Sequence, residues 1–234
     1  MTDVRKNALV VRGGWDGHQP YETTALFLPF LHDHGFEVRV EEGSGIYADV
    51  DYLETVDLIV QCNTMNTIEK AEIAGLIGAV RSGTGLVGWH GGIADSYRNS
   101  ADYLQLIGGQ FAHHPSKAQP EDLPDDAARN FVRYTVNIVP EQADHPLVRG
   151  LADFELTTEQ YWVLSDDYND VLATTTLAAR DYDPWNRPVT CPAVWTRQWG
   201  EGLIVVVTPG HQLDIVEDAN VRTIIERGML WAAR

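Results

Sequence analysis

The chain is poor in cysteine and in basic residues, and it has no long apolar run. Two cysteines in 234 residues, Cys62 and Cys191, cannot build a disulfide framework, and neither lies in a C-x-x-C or other metal-type pair. Both are expected to be small buried apolar residues, although Cys191, between Thr190 and Pro192, lies in a polar stretch that could leave its thiol partly exposed. Only 17 Lys and Arg stand against 34 Asp and Glu, for a formal charge of −17. No local basic cluster offsets that charge, so phosphate backbones and anionic headgroups are repelled, and roles on nucleic acid or at a membrane surface are disfavoured. Neutral polyols and cations are better partners. The first apolar run, Ala8 to Val11, is too short for a signal peptide or an anchor, which points to a cytoplasmic protein. What is present suits a globular core: 44% of residues are apolar and 22% charged, and a chain of this length buries roughly three quarters of the surface it exposes when unfolded. One domain over residues 1–234 fits better than two.

The first half alternates short β-branched runs with longer amphipathic segments. Strands are expected at Ala8–Val11, Phe36–Val40, Val56–Val60 and Gly85–Trp89. Helices are expected over Glu22–His34, stopped by Gly35, and over Thr67–Arg81, stopped by Ser82-Gly83, with a helical turn at Tyr52–Thr55. That alternation requires right-handed crossovers and a parallel sheet covered on both faces, a flavodoxin-like, doubly wound α/β fold. In the second half, residues 115–126 with three prolines form a loop. Shorter strands follow at Phe131–Val139, Phe154–Thr158, Val171–Leu177 and Ala193–Trp199, some of them antiparallel. A buried strand at Gly202–Thr208 and a helix at Asn220–Ala233 close a mostly parallel sheet with a β-rich insertion.

Ligands of doubly wound sheets bind beyond the carboxyl ends of the strands. Three of the eight histidines fall there: His18 after strand one, His90 after strand four and His211 after the last strand. Gly88-Trp89-His90-Gly91-Gly92 has the G-x-H-x-G spacing of a nucleophile elbow, in which glycines permit the tight strand-to-helix turn. An imidazole there suits proton transfer, metal ligation or substrate hydrogen bonding, whereas acyl-enzyme chemistry lacks its nucleophile. Of the adjacent His113 and His114, the second is favoured for the site because Pro115 keeps it extended. Glu159 and Tyr161, two residues apart, would share one face of a strand and enter one crevice.

Gly13-Gly14-Trp15-x-Gly17-His18, Trp89-His90-Gly91-Gly92, Leu106-Ile107-Gly108-Gly109-x-Phe111-x-x-His114-Pro115, Asp144-His145-Pro146-Leu147-Val148-x-Gly150-Leu151, Glu159-x-Tyr161, Pro209-Gly210-His211 and Arg227-Gly228-x-x-x-Trp231-Ala232 together resemble the ThuA-like, or trehalose-utilisation, family. The resemblance implies a fold related to class I glutamine amidotransferases, with His90 where those enzymes place the catalytic cysteine. His211 follows the strand that carries their triad histidine. Glutamine hydrolysis by that mechanism is therefore excluded. The resemblance further implies an enzyme of sugar or keto-sugar metabolism.

The leading expectation is a carbohydrate-processing enzyme, an isomerase, lyase or hydrolase, in which His90 and His211 transfer protons and Glu159 orients or assists them. Trp15, His18, Trp89, Gly91, His114 and Tyr161 would bind the substrate, with aromatic faces for a pyranose ring. No cofactor is certain. A divalent metal such as zinc, held by His90, His114 and His211 with Glu159, is the alternative chemistry. A non-catalytic sugar-binding or regulatory module is the alternative outside catalysis. A small-molecule carbohydrate is the expected partner, and the chain could form a homo-oligomer.

Overall fold

The computed structural model describes residues 6–114, 131–181 and 183–234; the loop expected over 115–126 lies outside them. Five parallel strands form the first part of a nine-stranded sheet: β1 (Lys6–Gly14), β2 (Phe36–Glu42), β3 (Leu58–Thr64), β4 (Gly85–Trp89) and β11 (Gly202–Val207). Their order is β2-β1-β3-β4-β11, the flavodoxin-like arrangement, in which the strand order reverses between β1 and β3. Beyond β11 the sheet continues antiparallel through β10 (Val189–Trp199), β9 (Asp170–Leu177), β6 (Phe131–Ile138) and β7 (Phe154–Glu159). These strands are the expected β-rich insertion.

The continuous apolar runs are explained by burial on both faces. Successive side chains of a strand point to opposite sides. Ala8 and Val10 of β1 enter a core with Phe27, Leu31 and the helix α8 (Ala219–Ala232), while Leu9 and Val11 enter a second core with Ile73, Leu76 and Val80 of α4 (Lys70–Arg81). Helix α4 opens with a capping box between Glu69 and Glu72 and ends at Ser82 and Gly83, the latter with φ +111°. No helix among the described residues is long and apolar enough to cross a membrane.

Three local expectations are corrected. The helix over 22–34 is two, α1 (Pro20–Ala25) and α2 (Leu28–Asp33), because Pro29 has no N–H to give the carbonyl of Ala25 and its ring would collide with it. The third strand runs on past Val60 through the buried polar residues Gln61, Asn63 and Thr64. Two short strands, β5 (Gly109–His113) and β8 (Trp162–Ser165), pair in a small antiparallel sheet that the sequence reading missed. Both cysteines are buried, as expected, and burial pushes the Cys62 thiol up to about 12. A thiol reagent such as DTNB is therefore expected to label neither cysteine in the native protein and both in denaturant; rapid labelling of one native thiol would contradict the packing.

Candidate functional site

The carboxyl ends of β1, β3, β4 and β11 carry the site, as the fold requires. After β1, a 3-10 turn at Asp16–His18 presents His18. After β4, His90 sits at φ 47°, ψ −139°, a strained conformation for a residue with a Cβ. It is held by its own backbone: its N–H donates to the carbonyl of Val207 at 2.7 Å, and its carbonyl accepts from Ala94 at 2.8 Å. The short helix α5 (Gly91–Ala94) follows at once, the turn anticipated from G-x-H-x-G. Gly92 is required because a Cβ there would stand 2.6 Å from the Cα of Cys62. His211 arrives after β11, and Glu159 is the last residue of β7.

One carboxylate oxygen gathers the imidazoles. Oε2 of Glu159 lies 3.0 Å from Nδ1 of His211, 3.1 Å from Nε2 of His90, 3.4 Å from Nε2 of His114 and 3.9 Å from Nε2 of His18. Nδ1 of His211 is 3.3 Å from Nε2 of His90. His18, His90, Glu159 and His211 are all buried, and one ligand atom from each lies within 4.8 Å of the others.

The protonation of His90 follows from its partners. Its Nδ1 is 2.7 Å from the carbonyl oxygen of Thr208, which only accepts, so Nδ1 carries the proton. Burial pushes the ring down to about 3, so it is neutral and Nε2 holds a lone pair. Burial works to raise the Glu159 carboxyl, but hydrogen bonds from the imidazoles of His18 and His211 prevail and hold it well below the usual carboxylate range. A carboxylate oxygen therefore faces a ring lone pair at 3.1 Å, a repulsive pairing for which a cation is the natural complement.

The donor set fits such an ion. Three nitrogens and one oxygen suit Zn²⁺ or a similar divalent metal, whose bonds of about 2.0–2.1 Å put neighbouring ligands ~3.3 Å apart. The outer contacts fit as well, since metal-bound histidines commonly anchor their second nitrogen. Here Nδ1 of His90 meets Thr208, and Nδ1 of His18 lies 3.0 Å from Oγ1 of Thr64.

A cavity of about 270 Å³ opens over this cluster, bordered by Trp15, Met65, Asp95, Arg98, Phe111 and Tyr161 as well as the site's His18, His114 and Glu159. Trp15 is 50% exposed and its ring meets that of His18 edge-on at 4.8 Å. Tyr161 lays its ring beside His90, centroids 4.0 Å apart. It borders the same crevice as Glu159, yet not from the same strand, because β7 ends at Glu159 and Tyr161 lies in the connection to β8. His114 faces the cavity and His113 is exposed.

Two expected substrate contacts are not at the surface. Trp89 is buried against Phe27, ring centroids 5.1 Å apart, because the pleat turns it to the core face while His90 turns to the crevice. Gly91 is buried too; its missing side chain makes room for His18, whose Cε1 would be 2.4 Å from a Cβ there. His18 sits inside the cluster of possible ligands, and His114 lies outside that set of four. Thr64, Thr208, Asp95 and Arg98 were not anticipated. Thr64 was hidden by ending the third strand at Val60, and the others carry no spacing signal.

Among solved structures, a ThuA-like protein from Bacteroides uniformis aligns with 99% of this chain and 93% of its own at a TM-score of 0.72 and 18% identity. One from Parabacteroides merdae aligns with 97% of this chain and 90% of its own at 0.71 and 17%. A cytoplasmic protein from Salmonella typhimurium aligns at 0.63 and 10% identity, with 97% of this chain and 100% of its own. At these identities the likeness shows the fold. No curated protein matches the chain. The family model for trehalose utilisation, ThuA, matches residues 7–232, and the chain belongs to that family.

Proposed function

We propose that this protein is a carbohydrate-processing enzyme, acting on a sugar, disaccharide or keto-sugar in the cytoplasm, with a divalent metal held by His18, His90, Glu159 and His211. Family membership supports the carbohydrate-related role. The observation that carries the metal is the fixed tautomer of His90, which aims a lone pair at the carboxylate of Glu159. A neutral ring pushed down to about 3 suits ligation better than proton carriage at neutral pH. When bound, such an ion polarises a substrate oxygen or makes a bound water more acidic. The chain's own residues do the rest. Glu159 supplies the negative charge of the cluster, and Thr208 and Thr64 set the rings of His90 and His18. Trp15 offers an exposed face on which a sugar ring can stack. His114, part-exposed with Nε2 3.4 Å from Glu159, is placed to pass a proton between cavity and cluster.

Untagged protein reconstituted with Zn²⁺ or Mn²⁺ and desalted is expected to retain one equivalent by elemental analysis. It is then expected to convert a member of a sugar and disaccharide panel, followed by NMR, only in the loaded form. Chelation is expected to lower stability by about 2.7 kcal/mol relative to protein at a hundredfold excess of ion over its dissociation constant. Sub-stoichiometric metal after reconstitution overturns the metal reading. A sugar that raises the melting temperature of loaded protein but is unchanged after long incubation overturns the catalytic one in favour of a binding module.

A further inference from the structure

Arg98 is an arginine on a rigid mount beside the cluster. The turn that carries it has Asp95, Ser96 and Tyr97 buried, and it is tied to the loop after β3. The carbonyl of Asp95 accepts from Met65 at 3.0 Å, and Tyr97 donates its N–H to Asn66 at 3.0 Å. Tyr97 itself holds φ 48°, and its hydroxyl accepts from Asn63 at 2.8 Å. From this base the Arg98 side chain rises half-exposed to the cavity rim. Its Nε donates to the carboxylate of Asp95, and its guanidinium carbon lies 5.3 Å from the centroid of the Phe111 ring. No described residue accepts from Nη1 or Nη2. Elsewhere arginines use these nitrogens internally: Arg197 bonds Asp166 and Asn169, and Arg234 bonds the carbonyls of Glu54 and Val56.

The charges around the cavity point the same way. Among the described residues Asp95 and Glu159 are its carboxylates, and Arg98 is its one permanently charged cation. With a divalent ion in the cluster, the cavity holds an excess of one positive charge. The chain-wide −17 favours neutral ligands at a distance, but exposed acids more than about 8 Å away are largely screened at physiological salt. We propose that the sugar taken by this site bears a carboxylate, as in the uronic and aldonic acids, and that Nη1 and Nη2 of Arg98, which no described residue engages, grip it. The paired N–H donors of a guanidinium match a carboxylate's two oxygens. This rests on the metal reading above, without which the cavity has an excess negative charge.

The test is calorimetric titration of Zn²⁺-loaded protein with D-glucuronate and with D-glucose. Wild type is expected to bind glucuronate about tenfold more tightly or better, in line with a charge-assisted pair. In Arg98→Met the preference is expected to fall below twofold, and Arg98→Lys is expected to restore part of it. Arg98→Gln serves if the methionine variant melts early. Equal binding of the two sugars by fully loaded wild type, no binding of either, or a preference that survives in Arg98→Met overturns the proposal. Zinc content of the same samples judges the metal reading separately: Arg98 touches none of the four ligands, so its variants are expected to keep a full equivalent.

Discussion

Glu159→Gln is expected to weaken zinc binding by more than a hundredfold. Glutamine keeps the shape and removes the charge, and Glu159 is the one anion among the four gathered ligand atoms. Loss of a supporting contact around a metal already costs about 10- to 100-fold in affinity, so loss of the ligand that balances the ion's charge should exceed that. Zinc competition against a chromophoric chelator reads the loss. If the variant bound zinc like wild type, Glu159 would be no ligand and would serve only the imidazoles around it. The cluster would then be a proton-transfer network.

The parts of this site that could be read from sequence are those set by backbone rules. A parallel sheet places its ligand at strand ends, and His18, His90 and His211 follow strand ends. The glycines beside His90 announced its turn, and Glu159 and His114 were found by direction and by the following proline. The errors came from side-chain direction. Trp89 adjoins His90 in sequence, but the pleat sends it into the core beside Phe27, and Gly91 is a space for the His18 ring. Tyr161 reached the right place by a route that strand spacing did not describe. Arg98 and Asp95 were invisible because contacts between two loops, Asp95 with Met65 and Tyr97 with Asn66, bring them to the cavity, and no local pattern encodes such contacts. The fold shows the same division. β-branched runs located the buried strands, whereas the break at Pro29 and the polar end of β3 depended on contacts with neighbouring turns.

Gly14→Ala is expected to destabilise the protein by about 2–5 kcal/mol, combining the left-handed backbone penalty of ~1–2 kcal/mol with the ~1–3 kcal/mol typical of overpacking. Gly14 has φ +85°, and a Cβ there would lie 1.9 Å from the carbonyl oxygen of Thr64, its partner in the β1–β3 register. Backbone cannot swing aside as a flexible side chain can, so the two strand ends must separate. At roughly 2–4 °C per kcal/mol for a chain of this size class, the loss amounts to about 4–20 °C in Tm. Gly43→Ala supplies the control: Gly43 has a similar φ of +80° with nothing within 4 Å of its would-be Cβ, so only the conformational part applies. Metal binding should separate the two variants further. The carbonyl of Thr64 accepts from Trp15 at 3.3 Å and its hydroxyl meets Nδ1 of His18 at 3.0 Å, so moving Thr64 moves a ligand. Gly14→Ala is therefore expected to lose zinc affinity as well as stability, and Gly43→Ala to keep its zinc. Equal Tm losses in the two variants would show that β1 and β3 do not approach as closely at Gly14 as this packing requires.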